Sequence, residues 1–114
     1  MKTDYKKIFF ESLEKESIAG FQNIGDLPRA VNYILSKGYH PVVDVPLQSL
    51  IYKDNDVIFL MFIIPTIDVG DIVVFMKGEV RPGKFGGQFL HTKPVKILKF
   101  QELREDYKQY MKGK

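Results

Sequence analysis

The sequence predicts an α+β fold: two N-terminal helices, a five-stranded small β-barrel or strongly twisted antiparallel sheet, and a C-terminal helix. Two observations support this prediction. Apolar residues recur at helical spacing over the first third of the chain and again at its end. The middle of the chain is rich in β-branched and aromatic residues between turn-forming residues. The length of 114 residues predicts one domain, spanning 1–114.

The two N-terminal helices are predicted from apolar spacing and from their end signals. The first runs from Thr3 to about Ile18, and its apolar face comprises Tyr5, Ile8, Phe9 and Leu13. The second begins near Asp26 and Pro28, because Asp caps free N–H groups and proline is tolerated in a first turn. It ends at Gly38, a residue type that readily adopts the positive φ of a helix C-terminus. Its apolar face comprises Ala30, Val31, Ile34 and Leu35.

Five short segments have the composition of strands. They are 40–45, 48–52, 57–64, 71–80 and 88–99. The segment 57–64 is apolar on both faces and is therefore predicted to be central. Gly78 suggests a bulge or sharp bend, and Pro94 suggests an edge or a break, because proline cannot donate to a strand ladder. A final helix is predicted from Phe100 to Lys112, with Phe100, Leu103, Tyr107, Tyr110 and Met111 on one face.

The composition excludes several classes of protein. The chain has no cysteine, so it has neither disulfides nor thiolate metal sites. Its N-terminus lacks the apolar stretch of a signal peptide, and its longest apolar run, Val57–Ile64, is far shorter than the roughly 20 residues of a membrane helix. These features predict a soluble cytoplasmic protein without a membrane partner.

No catalytic or cofactor motif is present. The glycine-rich segment 83–87 lacks the Gly-Lys-Ser/Thr ending of a P-loop, and the two histidines, His40 and His91, have no zinc-ligand spacing. We therefore expect no cofactor, no metal and no enzymatic activity. The least favoured alternative is a small nuclease, in which carboxylates bind Mg²⁺. Its candidate residues are Asp44, Asp68 and Asp71.

Positive charge is concentrated in the C-terminal half of the β-rich region, where it alternates with aromatic residues. Single-stranded nucleic acid is bound by such combinations, because cationic side chains neutralise phosphates and flat rings stack on bases. We therefore predict binding of single-stranded DNA or RNA by a basic, aromatic-containing β-hairpin. The predicted binding residues are Lys77, Arg81, Lys84, Phe85, Phe89, His91, Lys93 and Lys96.

A second hypothesis is a non-catalytic protein–protein interaction module of a larger assembly. An exposed sheet edge and the apolar stripe of the C-terminal helix would contact a protein partner or a second copy of the chain. The stripe comprises Tyr107, Tyr110 and Met111.

Two family resemblances favour the nucleic-acid hypothesis. The segments 69–80, 83–87 and 95–98 resemble the last strands of an OB-fold, with a Gly-Asp turn, a hydrophobic strand and a glycine loop. The region from about Leu27 to Leu103 is similar to PUA-like and ASCH-type domains, with a helix at 30–38 before a barrel strand and a closing helix at 100–103. Both resemblances imply a small β-barrel with a nucleic-acid partner.

Overall fold

The computed structural model of the protein describes residues 3–14, 27–42, 48–55 and 57–112. These residues form three helices and one four-stranded antiparallel sheet with the strand order β1-β2-β3-β4. The elements are α1 (Tyr5–Glu14), α2 (Leu27–Ser36), β1 (Gln48–Asp54), β2 (Val57–Thr66), β3 (Gly70–Pro82), β4 (Gln88–Lys99) and α3 (Phe100–Lys112). The α+β class is confirmed, and both predicted N-terminal helices occur, although residues 15–18 of the first and Asp26 at the start of the second lie outside the described residues.

Helices α1 and α3 cover one side of the sheet, which we call the α1/α3 face. Phe59 and Phe75, on the two central strands, are buried there with Phe9 of α1 and Leu103 of α3. Large side chains of the sheet and of the two helices thus remove each other from water, which is the main stabilising term in folding.

Helix α2 covers the opposite side, the α2 face. Phe62 of β2 and Val74 of β3 are buried against Ala30 and Ile34 of α2. Successive strand residues point to opposite faces, so β2 is apolar on both. The predicted central position of 57–64 is therefore confirmed.

Of the two predicted β architectures, the antiparallel sheet is confirmed and the small barrel is wrong, and the described residues form four strands rather than five. The sheet has four strands over the described residues and is open, with β1 and β4 at its edges. Of the predicted strand 40–45, only 40–42 are described, and they form a single bridge between Pro41 and Thr66. Proline cannot donate to a longer ladder. A small barrel buries one face of its sheet, whereas this sheet is covered on both.

The predicted C-terminal signal of α2 is confirmed. Gly38 has a φ of 89°, and the backbone N–H of Tyr39 donates to the carbonyl of Ile34 at 3.0 Å. The N–H of Gly38 donates to the carbonyl of Leu35 at 3.1 Å. These two bonds form the glycine-dependent motif that closes a helix. The proposed cap Asp26 lies outside the described residues.

The apolar face of α1 is broader than predicted. Leu13 is exposed, whereas Phe10 is buried and its ring centroid lies 5.3 Å from that of Tyr107 on α3. Phe9 and Phe100 form a second ring contact between these helices. Helix α1 contacts both the sheet and α3. Its buried surface therefore includes residues that face α3 and that packing on the sheet alone would leave exposed.

The packing of α3 on the sheet is confirmed for Leu103, which is buried, and for Phe100 and Tyr107, which pack against the same cluster. An ion pair between Lys6 and Asp106 joins α1 and α3 at the surface. Within the described part of the chain, no helix is both long and apolar enough to cross a membrane.

The bulge predicted at Gly78 is wrong, because the register shift between β3 and β4 lies between Phe75 and Met76. Phe75 pairs with Lys96 and Met76 with Pro94, which leaves Val95 as an extra residue on β4. The break coincides with Pro94, and β4 is an edge strand, so both predictions for that proline are confirmed.

Gly78 instead permits close packing between neighbouring strands. A Cβ atom at this position would lie 2.9 Å from Cδ1 of Leu90 and 3.3 Å from Cβ of Ile58. A side chain here would press on Leu90 and Ile58 where β3 passes between β2 and β4 on the α2 face.

We expect Gly78→Ala to lower the free energy of unfolding by about 1–3 kcal/mol, because the added methyl group overpacks this site. The measurement is urea unfolding followed by circular dichroism. In the double variant Gly78→Ala/Leu90→Ala the destabilisation should be smaller than the sum of the two single losses, since the closest contact is removed. If the losses of unfolding free energy in the two single variants add up in the double variant, or if Gly78→Ala is more stable than the native protein, the close packing at Gly78 is contradicted.

Candidate nucleic-acid interface

The β3–β4 hairpin projects beyond the rest of the sheet. The last pair between β2 and β3 joins Ile58 to Gly78, whereas the pairing of β3 with β4 continues for four more residues on each strand. At about 3.3 Å per residue, the projecting paired part is about 13 Å long. Only two strands form it, and neither helix layer covers it.

The strand register brings five of the predicted residues to one face of this hairpin. Lys77 lies opposite Lys93, and Arg81 lies opposite Phe89. His91 lies between them, opposite Glu79. All these side chains alternate in phase with Phe75, so they share the α1/α3 face. They lie beyond the part of that face that α1 and α3 cover.

A depression of about 610 Å³ lies where the hairpin leaves the sheet. Three of the predicted residues line it: Lys77, His91 and Lys93. The β1–β2 turn supplies its opposite side through Lys53 and Asn55. Lysines from three strands thus line one depression, Lys77 and Lys93 from the α1/α3 face and Lys53 from a strand position in phase with the α2 face. Glu79 is the carboxylate among its described lining residues.

Lys53 and Asn55 were missed by the sequence prediction. The segment 53–56 is recognisable as a turn, and Asn55 has the left-handed φ of 53° expected there. Its place beside the hairpin depends on the register of β1, β2 and β3, which the sequence pattern does not determine.

The charge of the chain is concentrated in this hairpin. Between residues 77 and 96 there are five Lys and Arg residues and one Glu, whereas the remaining residues include 12 Lys and Arg against 13 Asp and Glu. The net charge of +3 therefore comes entirely from one hairpin. Like charges directly opposite on neighbouring strands, such as Lys77 and Lys93, destabilise a sheet. This pair therefore opposes the stability of the fold.

Arg81 and Lys96 differ in their surroundings from the lysines of the depression. Arg81 donates from Nε and Nη2 to a carboxylate oxygen of Glu79, at 3.2 and 3.0 Å, so its charge is partly neutralised. Lys96 shares the face but lines a separate depression beside the N-terminus of α1, together with Asp4 and Tyr5. The structure therefore places Lys96 apart from the other predicted residues.

The tip of the hairpin presents Phe85 to solvent. Its side chain is 100% exposed. The turn around it is built from glycines: Gly86 and Gly87 have φ values of 89° and 75°, and the N–H of Gly83 donates to the carbonyl of Gly87 at 3.1 Å. A Cβ at Gly83 would lie 2.9 Å from the carbonyl oxygen of Gly86. Lys84, beside the ring, is also exposed.

The carboxylates proposed as Mg²⁺ ligands of a nuclease are not brought together among the described residues. Asp44 lies outside the described residues, and Asp71 lines a depression at the start of α3. The Asp68 carboxylate accepts a hydrogen bond from the backbone N–H of His40 at 2.6 Å, and the His40 ring lies 3.2 Å away. The Asp68 carboxylate thus links residues 40–42 to the β2–β3 turn by hydrogen bonding. Among the described residues, no group of three His, Asp or Glu side chains is placed to hold a metal ion.

Comparisons with protein-family models, curated proteins and solved structures find no match to this chain. The resemblances to OB-fold, PUA-like and ASCH-type domains therefore have no support beyond the short motifs that suggested them. The sheet is open and covered on both sides, so it is not the small β-barrel that these resemblances implied.

The contact of Asp68 predicts a pH dependence of stability. Hydrogen bonding from the His40 backbone, followed by that from its ring, lowers the pKa of Asp68 below its ordinary value of 3.8. The ionised carboxylate therefore stabilises the fold above pH 3.8, and this contribution is lost as the pH falls through the folded-state pKa. Urea unfolding should show Asp68→Asn less stable than the native protein at pH 6, with the difference shrinking well below pH 3.8.

His40→Ala is the control for this measurement. It keeps the backbone N–H, the largest cause of the lowered pKa, so most of the pH-dependent difference should remain. Stability curves for the native protein and Asp68→Asn that run parallel from pH 6 to below 3.8 would show that the carboxylate charge does not contribute.

Proposed function

We propose that the protein binds single-stranded DNA or RNA through the α1/α3 face of its projecting hairpin, without catalysis. The observation that carries the proposal is the opposed pair Lys77 and Lys93, which lies on the α1/α3 face and lines the depression at the hairpin base. Phosphate groups are the ligand for which such a cluster is suited, because each contact releases counterions from the nucleic acid. A cytoplasmic location, where nucleic acid is accessible, belongs to the same proposal.

The opposition of Lys77 and Lys93 supports this function. Two like charges facing each other across a ladder lower stability, yet both side chains are exposed and free to rotate towards a shared ligand. An anion bound between them would convert their repulsion into attraction. A pair that only kept the surface soluble would gain from being staggered along the strands.

Fluorescence anisotropy tests the proposal with labelled single-stranded DNA, single-stranded RNA and duplex at several salt concentrations. Binding should weaken linearly on a log–log plot against salt, with a slope of about 0.7 for each phosphate contacted on a single strand. No binding to any of the three probes at low salt would overturn the proposal.

The variant Lys77→Gln/Lys93→Gln should bind more weakly than the native protein while being at least as stable. Its salt slope should fall by about 0.7 for each lost phosphate contact. Removal of like-charge repulsion should raise the free energy of unfolding by roughly 0.2–1 kcal/mol. The matched control Lys37→Gln/Lys108→Gln has the same net charge, and both its positions lie on helices or their ends away from the hairpin. Equal weakening in both variants would show that net charge alone governs binding.

The protein-interaction hypothesis has a different observation in its favour. Val80 and Phe89, at the projecting part of the hairpin, are 52% and 49% exposed, which is unusual for large apolar side chains. Tyr107, in contrast, packs against Phe10, so the C-terminal stripe is partly used within the fold. Sedimentation velocity tests one form of this hypothesis: self-association that is lost in Val80→Ser/Phe89→Ser would favour an apolar contact between copies.

A further inference from the structure

We infer that Phe85 is a base-stacking residue, so that the hairpin selects strands with unpaired bases rather than any polyanion. This inference rests on the proposed function and assigns a second contact point to the same surface. The lysines at the hairpin base would hold the phosphates, and the ring at the tip would stack on a base.

The geometry of the tip supports this role. A fully exposed phenylalanine gains nothing from the protein interior, and its apolar surface in water costs free energy. The ring is nevertheless held in a turn in which Gly86 and Gly87 adopt conformations that other residues rarely take. The closure of this turn, through Gly83, fixes where the ring projects. Every base has a flat face, whatever the sequence. An exposed phenylalanine ring can therefore stack on single strands without sequence preference.

The charges around the ring favour a nucleic-acid strand over an apolar partner. Lys84 is adjacent to Phe85 in the turn, and Lys77 and Lys93 lie at the base of the same hairpin. The five steps of β3 from Lys77 to Pro82 span about 17 Å, and the tip lies beyond them. A single strand along this path would meet cations at both ends and a ring at one of them. Bases stacked inside a duplex cannot reach that ring.

Anisotropy with three probes of equal length tests the inference: an oligothymidine, the same strand without bases, and a duplex. The affinity of Phe85→Ala for the oligothymidine should fall by roughly 5- to 150-fold, the cost of one stacked base. Its affinity for the abasic strand and the duplex should be unchanged, and its salt slope should match that of the native protein, because stacking releases no counterions.

Two further variants separate stacking from other uses of the ring. Phe85→Leu keeps an apolar side chain without a flat face and should behave like Phe85→Ala, whereas Phe85→Trp should restore binding. Ile67→Ala is the matched control, because Ile67 is a 75% exposed apolar residue in the β2–β3 turn at the opposite end of the sheet. Its affinity for all three probes should equal that of the native protein.

The outcomes distinguish this inference from the proposed function. Salt-dependent binding of all three probes with no effect of Phe85→Ala would overturn the stacking role and leave phosphate binding intact. No binding by the native protein would overturn both. Phe85-dependent binding to vesicles containing phosphatidylserine, without Phe85-dependent binding to the oligothymidine, would overturn the inference and assign the tip to a lipid surface.

Discussion

The central strands are apolar on both sides, and the remaining architecture follows from this constraint. Phe59 and Phe62, three residues apart on β2, are both buried, yet they face opposite sides of the sheet. A sheet with two apolar faces must be covered twice. Helices α1 and α3 cover one face and α2 covers the other, so no closed barrel forms. The helices extend only as far as the apolar part of the strands, which leaves the charged end of the hairpin exposed.

The hairpin combines several features that folding does not require. It has opposed lysines, a fully exposed ring and a turn that depends on glycine at several positions. Each feature lowers stability or restricts the sequence, whereas the buried part of the same two strands follows ordinary packing rules. Local departures of this kind are expected at functional surfaces. Their concentration at one end of the molecule is the pattern on which the proposed interface rests.

Local signals in the sequence predicted local structure well. Gly38 ends α2 as expected, and the last strand and last helix have the predicted bounds. Failures occurred where distant segments decide the outcome. The burial of Phe10 depends on α3, and the place of Lys53 beside the hairpin depends on strand register. Gly78 indicated a bulge, but the register shift lies between Phe75 and Met76, and Gly78 has close neighbours on both adjacent strands.

The extra residue Val95 determines which face of the sheet carries Lys93. Lys93 and Lys96 are three positions apart, so in an uninterrupted strand they would face opposite sides. The insertion restores their common phase. The inner half of β4 is fixed by the packing of Ile97, so loss of this one residue would rotate the outer half and carry its charge to the α2 side. Loss of this one residue would thus place Lys93 and Lys77 on opposite sides of the hairpin and divide its positive charge between the two faces of the sheet.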